Sequence, residues 1–293
     1  MSDYLTEGEA GVRVLAPLLS QATQPQAVQP VQKPANQSAF QFLQRISPAR
    51  QMLVLLPVIA LSSSQSPSSL SFAAFPAAFA ALLDAARSLY WKKPLRFPEN
   101  SLISGLFIGM ILTPGNYFAA SLAVLFMFFG KTFLRRNAAF PFFNPAAFGL
   151  VSANLLTGLG NAWWAASSWA VLPLGVFNAF KNRKLPLVFS FLAVHAALIS
   201  AVYSTQEPSL EFLFTAAFGV TNAFFAFFML LEPKTSPHPF KSQVVHGTLV
   251  ALLAVAVLEA ASFFGGAAAR VDHLLAALLL GDLFYKKLAE LVK

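Results

Sequence analysis

The chain has 293 residues, 57% hydrophobic and only 11% charged, and its mean hydropathy of +0.63 excludes an ordinary soluble domain, which carries about 25% charged residues. It contains no cysteine, which removes disulfides, thiol catalysis, Fe–S ligation and Cys-based zinc sites together. The formal net charge of +8 is not the footprint of a nucleic-acid partner, because Lys and Arg sit in short loops between apolar runs, where they orient a membrane protein.

The N-terminal segment holds no apolar core of a signal peptide. Residues 21–37 are rich in Gln, Pro and Ala, and such a stretch cannot bury enough apolar surface to fold. Residues 1–48 are therefore expected to form a disordered cytoplasmic tail, with 40–50 as a plain linker in preference to a segment lying on the membrane surface.

Ten apolar runs follow. They are expected at 51–63, 70–90, 101–112, 117–129, 145–156, 163–180, 185–203, 210–231, 244–264 and 271–285. Several are shorter than the ~20 residues that cross a ~30 Å hydrocarbon core at right angles. The runs at 101–112 and 145–156 are the shortest, and those at 51–63 and 117–129 are one residue longer. Short or Pro-interrupted spans survive only when buried among other helices or beside a cavity.

With ten spans, nineteen of the twenty Lys and Arg residues fall on one side and Arg270 alone on the other. The positive-inside rule then puts both termini in the cytoplasm. Asp84 and Arg87, and Asp282 and Lys286, stand three and four residues apart and are expected as paired surface charges. Glu259 is expected to pair with Arg270, and Glu211 to be solvated. His195, deep in the seventh run, is expected to hydrogen-bond a neighbouring helix. Trp163, Trp164 and Trp169 are expected in an outer interfacial belt. The sequence offers no His pair with a carboxylate at metal-ligand spacing, no phosphate-binding loop and no nucleophile triad.

Two stretches read alike. FIGMILTPGN at 107–116 closes the third run, and FFMLLEPKT at 227–235 closes the eighth. Met110 aligns with Met229, Leu112 with Leu231 and Pro114 with Pro233, each pair 119 residues apart. A spacing of five helices reverses orientation, so the fold expected is an all-α polytopic membrane protein of ten helices in two inverted five-helix repeats. The halves are 49–160 and 161–293, and ligands in such folds bind near the repeat interface. Asn144-Pro145 is a favoured N-cap and first helical residue, opening the fifth run from the cytoplasmic side.

Four stretches together resemble the RnfD/NqrB family of membrane proteins, whose members work in the Rnf electron-transport complex and in the sodium-translocating NADH:quinone reductase. They are SLISGLFIGMILTP at 101–114, Gly130-Lys131 followed by FNPAAFG at 143–149, KLPL at 184–187, and FMLLEPKTSP at 228–237. The resemblance spans roughly residues 45–290. It implies a ten-helix flavoprotein of the cell inner membrane that works with other membrane subunits of a redox complex to couple electron transfer to ion movement. It also implies a site of Asn144, Pro145 and Ala146 with Glu232, Pro233, Thr235 and Ser236, and with Thr113 and Pro114 as counterparts across the pseudo-twofold. The family esterifies FMN to a Thr in an S-G-A-T type sequence. That position is Gly160 here, which has no hydroxyl, so the flavin expected is non-covalent riboflavin or FMN. Glu232 stands where the family has Asp. A stand-alone solute channel or transporter on the same fold is the alternative, and a redox-inactive scaffold a third reading.

Overall fold

The computed structural model describes residues 46–63, 66–135, 141–203, 209–265 and 271–291. The chain divides after Arg45, and all described residues belong to the second unit. The expected N-terminal tail lies almost wholly outside them, as does Arg270, the expected partner of Glu259.

Among the described residues the regular structure is all helical, without a strand. The helices are α1 (Pro48–Ser63), α2 (Pro67–Tyr90), α3 (Glu99–Ile111), α4 (Tyr117–Phe133), α5 (Pro145–Thr157), α6 (Val171–Lys181), α7 (Leu185–Tyr203), α8 (Leu210–Phe218), α9 (Val220–Phe224), α10 (Phe240–Phe264) and α11 (His273–Leu291). Local chemistry sets several starts. Ser66 accepts from Ser69 N–H ahead of Pro67, and Asn116 accepts from Ala119 N–H at 3.0 Å. Asp272 Oδ1 accepts from the N–H groups of Leu274 and Leu275 at 3.0 and 3.1 Å, which places the start of α11 at His273.

Two expected spans are divided. The sixth opens as a 3₁₀ turn, Trp164–Ser167, before α6. The eighth breaks at Gly219, whose extended backbone separates α8 from α9, and then widens into a π turn over Phe225–Met229. Only small or polar residues mark the two places, Ser167 and Ser168 at the first and Gly219, Thr221 and Asn222 at the second, and the apolar runs continue on either side of them.

Small residues draw the helices together. A Cβ on Gly105 would lie 2.5 Å from Ala77 Cα, and one on Gly109 would lie 2.6 Å from Ala73 Cα. α2 and α3 therefore touch backbone to backbone, as membrane helices do through small residues four apart. The centre is aromatic, with Phe107, Phe191, Phe224, Phe225 and Phe228 fully buried. Large apolar side chains such as Val54, Leu61, Leu82, Phe118, Phe129, Phe189 and Leu252 are instead exposed along the outer helix faces. Soluble proteins rarely expose contiguous apolar surface on this scale.

Helices α2, α7 and α10 are long and apolar enough to cross a bilayer, and the other apolar helices, with the apolar part of α11 at His273–Tyr285, are shorter. This is the architecture of a helical membrane protein.

Candidate functional site

Basic residues from distant parts of the sequence meet at one end of the bundle. Asp84, near the end of α2, organises them. Its Oδ1 accepts from Arg87 Nη2 at 2.5 Å, and its Oδ2 accepts from Ser101 Oγ at 2.9 Å and Lys131 Nζ at 3.2 Å. The expected Asp84–Arg87 pair is present and extends to α3 and α4. Arg50 at the start of α1 donates to Glu99 Oε1 at 3.0 Å on this side too.

Beside this cluster is a cavity of about 720 Å³. Six cationic side chains line it: Arg87, Lys93, Arg96, Lys131, Arg135 and Lys234. Among the described residues, Asp84 and Glu232 are its two carboxylates, and Pro145 closes one wall.

Asn144 stands behind that wall, 1% exposed. Its Oδ1 accepts from Ala147 N–H at 3.0 Å, so it caps α5 as the sequence leads one to expect. Its Nδ2 donates to the Met229 carbonyl at 3.3 Å, at the end of the π turn. Its backbone N–H donates to Asp282 Oδ2 at 2.9 Å. Ala146 is buried in the first turn of α5.

The segment after Met229 folds on itself. The Glu232 carbonyl accepts from the N–H groups of Thr235 and Ser236, at 3.2 and 3.0 Å, and from Ser236 Oγ at 2.8 Å. Glu232, Thr235 and Ser236 are buried, and Pro233 is half-buried. Lys184, 2% exposed, reaches this loop from the start of α7 and donates to the carbonyls of Ser236 and Pro237. Burial lowers its pKa to about 8. Its charge, with some burial, pushes the His238 imidazole below the usual histidine range.

Thr113 and Pro114 are not part of this assembly. They line a separate hollow with Asn116, Tyr117, Leu159 and Gly160. Tyr117 on that hollow and Lys131 on the basic cavity lie near opposite ends of α4, about 20 Å apart along its axis.

Two sequence expectations are corrected. The side chain of Lys286, the expected partner of Asp282, lies outside those described, and Asp282 is not a surface charge but fully buried. It holds Asn144, with His246 Nε2 3.9 Å from its other oxygen. Helical spacing reveals a residue's own-helix neighbours but not the element packed opposite. The tryptophans do not form one belt, since only Trp169 of the three is exposed. Trp163 Nε1 donates to Asp272 at 2.6 Å, and Trp164 Nε1 donates to the Gly109 carbonyl at 2.8 Å. His195 is buried, stacked against Phe191 on its own helix.

The hydroxyl nearest Gly160 in sequence is already engaged. Thr157 Oγ1 donates to the Ala153 carbonyl at 2.9 Å and accepts from Leu159 N–H. The basic cavity has the volume of an ordinary small-molecule site, ~300–1,000 Å³. Its cationic wall suits the phosphate of an FMN-type flavin, while Pro94, Phe97, Pro141 and Pro145 supply apolar surface for a ring. Among the described residues, no three His, Asp or Glu side chains gather as a metal site. No protein-family model matches this chain, and no curated protein matches it.

Proposed function

We propose that the chain is an integral membrane subunit of a flavin-dependent, ion-translocating electron-transport complex of the Rnf and sodium-translocating NADH:quinone reductase type. One observation carries this reading. Three stretches that resemble the family, around Asn144, Lys184 and Glu232, come together at a single place through hydrogen bonds to the segment from Met229 to Pro237. Residues so far apart in sequence need a common structural or functional reason to assemble.

The membrane arrangement proposed is ten spans in two inverted halves, in the cell inner membrane with both termini cytoplasmic. The eighth span is the broken unit of α8, α9 and the π turn. The basic cavity supports it, because its cations come from the loops after the second, fourth and eighth spans, which ten spans would put on one side. The third and eighth spans, equivalent in the proposed repeat, meet through Phe107 and Phe224, whose rings are 6.1 Å apart.

The flavin proposed is non-covalent, held on the Pro145 and Glu232 side of the basic cavity. The isoalloxazine would supply the redox chemistry, and the chain supplies position and electrostatics. Partners are the other membrane subunits of the complex and the bilayer. The test is an absorbance spectrum of the detergent-purified chain. The reading expects a yellow chromophore released by acid or heat, and a colourless protein overturns it.

A second reading is a stand-alone transporter for an anionic solute. It is favoured by the excess of cations over carboxylates in the cavity lining, where Phe97 is the one aromatic side chain among the described residues. Colourless protein that drives solute uptake into liposomes would establish it.

A further inference from the structure

The six cations of the basic cavity are more than membrane orientation requires. The positive-inside rule accounts for Lys and Arg on this end of the bundle. It does not account for their meeting on one recess. Arg87 and Lys131 keep only 20% and 15% of their side chains exposed, so they are withdrawn from the surface where lipid and water would solvate them.

Charge compensation inside the recess is partial. Asp84 is already committed to Arg87, Lys131 and Ser101. Among the described residues, Glu232 is the one other carboxylate in the lining. Lys93, Arg96, Arg135 and Lys234 add four further positive charges, from three separate segments. Like charges held around a low-dielectric recess repel one another, and the same geometry concentrates a field that attracts a polyvalent anion. Guanidinium groups bind phosphate oxygens in pairs, and ammonium groups bind them as point charges. Ser88, Asn100 and Ser104 add neutral polar groups to the wall.

We propose that this cavity binds a phosphate group carrying two or more negative charges, with Arg96, Arg135, Lys93 and Lys234 as its principal contacts. That group is either part of a soluble phosphate compound or the headgroup of an anionic lipid. The proposal rests on the charge of the cavity and holds whichever molecule carries the phosphate, the proposed flavin included, so colourless protein would overturn the redox reading and leave this one standing.

The experiment uses the full chain in neutral detergent at low salt. Pyrophosphate is titrated by calorimetry against the wild type, the Arg96→Gln/Arg135→Gln double variant, and Lys241→Gln as a basic control outside the lining. In parallel, each protein is extracted from vesicles of phosphatidylcholine with and without phosphatidic acid, whose phosphomonoester carries up to two charges, and the retained phosphatidic acid is measured. Saturable pyrophosphate binding, weakened at least about tenfold in the double variant, kept in Lys241→Gln and weakened by salt, establishes a soluble phosphate ligand. Retention of anionic lipid by wild type and Lys241→Gln but not by the double variant establishes a headgroup. Equal behaviour of wild type and double variant in both arms overturns the proposal. If the double variant does not fold, Lys93→Gln and Lys234→Gln singly, on separate segments, replace it under the same criteria.

Discussion

The chain breaks two helices with nearly the same words, MILTP and MLLEP, and completes them in different ways. At the first break, the end of α3 is closed by backbone and indole donors. Ala162 and Trp163 N–H donate to the Ile111 carbonyl at 2.8 and 2.9 Å, and Trp164 Nε1 donates to the Gly109 carbonyl. Thr113 beyond it is exposed. At the second break, buried side chains take over. Asn178 Nδ2 donates to the Phe227 carbonyl at 2.9 Å, Asn144 to that of Met229, and Lys184 to those of Ser236 and Pro237. A break finished by neutral backbone is a helix end. A break finished by a buried lysine and two asparagines, one of them held by a buried carboxylate, brings charge and polarity into the bundle beside a cavity. This contrast locates the candidate site at the second break.

The contrast can be attacked in order of expected effect. Asp282→Ala removes the acceptor of the Asn144 N–H from a fully buried position and should destabilise the protein by about 3 kcal/mol or more. Asp282→Asn keeps an acceptor oxygen and should lose much less. Unfolding of both variants in detergent would check this.

The next effect is a pH dependence. Lys184 has a folded pKa of about 8, below its ordinary value of 10.5. The unfolded chain therefore binds more protons between about pH 8 and 10.5, so this group's contribution to stability rises with pH across that window. Below about pH 8 Lys184 is charged in both states and its desolvation cost is complete. The unfolding midpoint of the wild type should gain on that of Lys184→Met between pH 8 and 10, and parallel curves would contradict the assignment.

Side-chain closure of the second break should also cost more to remove than indole closure of the first. Asn144→Ala loses a cap and a bond to the Met229 carbonyl, about 2 kcal/mol, while Trp164→Phe loses one bond, about 1 kcal/mol. Thr113→Ala, on exposed backbone, should change stability by less than about 0.5 kcal/mol. Denaturant titrations of the three variants in one detergent would rank them.

Helix positions were largely readable from the sequence, because apolar runs bounded by Pro, Asn, Ser and Lys carry their own stop signals. α7 begins and ends where the apolar run at 185–203 does, and Asn144 caps α5. The site was only partly readable. The motifs mark Asn144, Pro145 and Glu232, and these meet around one wall. Thr113 and Pro114 resemble the second break in sequence yet line a separate hollow, because sequence likeness does not specify which donors will close a helix end. Asp282 and Lys184 owe their roles to partners 138 and 52 residues away, which no local spacing encodes. The one available signal was an ionisable residue within an apolar run, which in a membrane protein points inward.

The two breaks have opposite orientation if the halves are inverted. Because the chain has no native cysteine, Thr113→Cys and Lys234→Cys each provide a single reporter. In intact cells a membrane-impermeant maleimide should modify the thiol at position 113 directly, and the thiol at position 234 only once the membrane is opened. Modification of both positions from the same side would contradict the inverted arrangement.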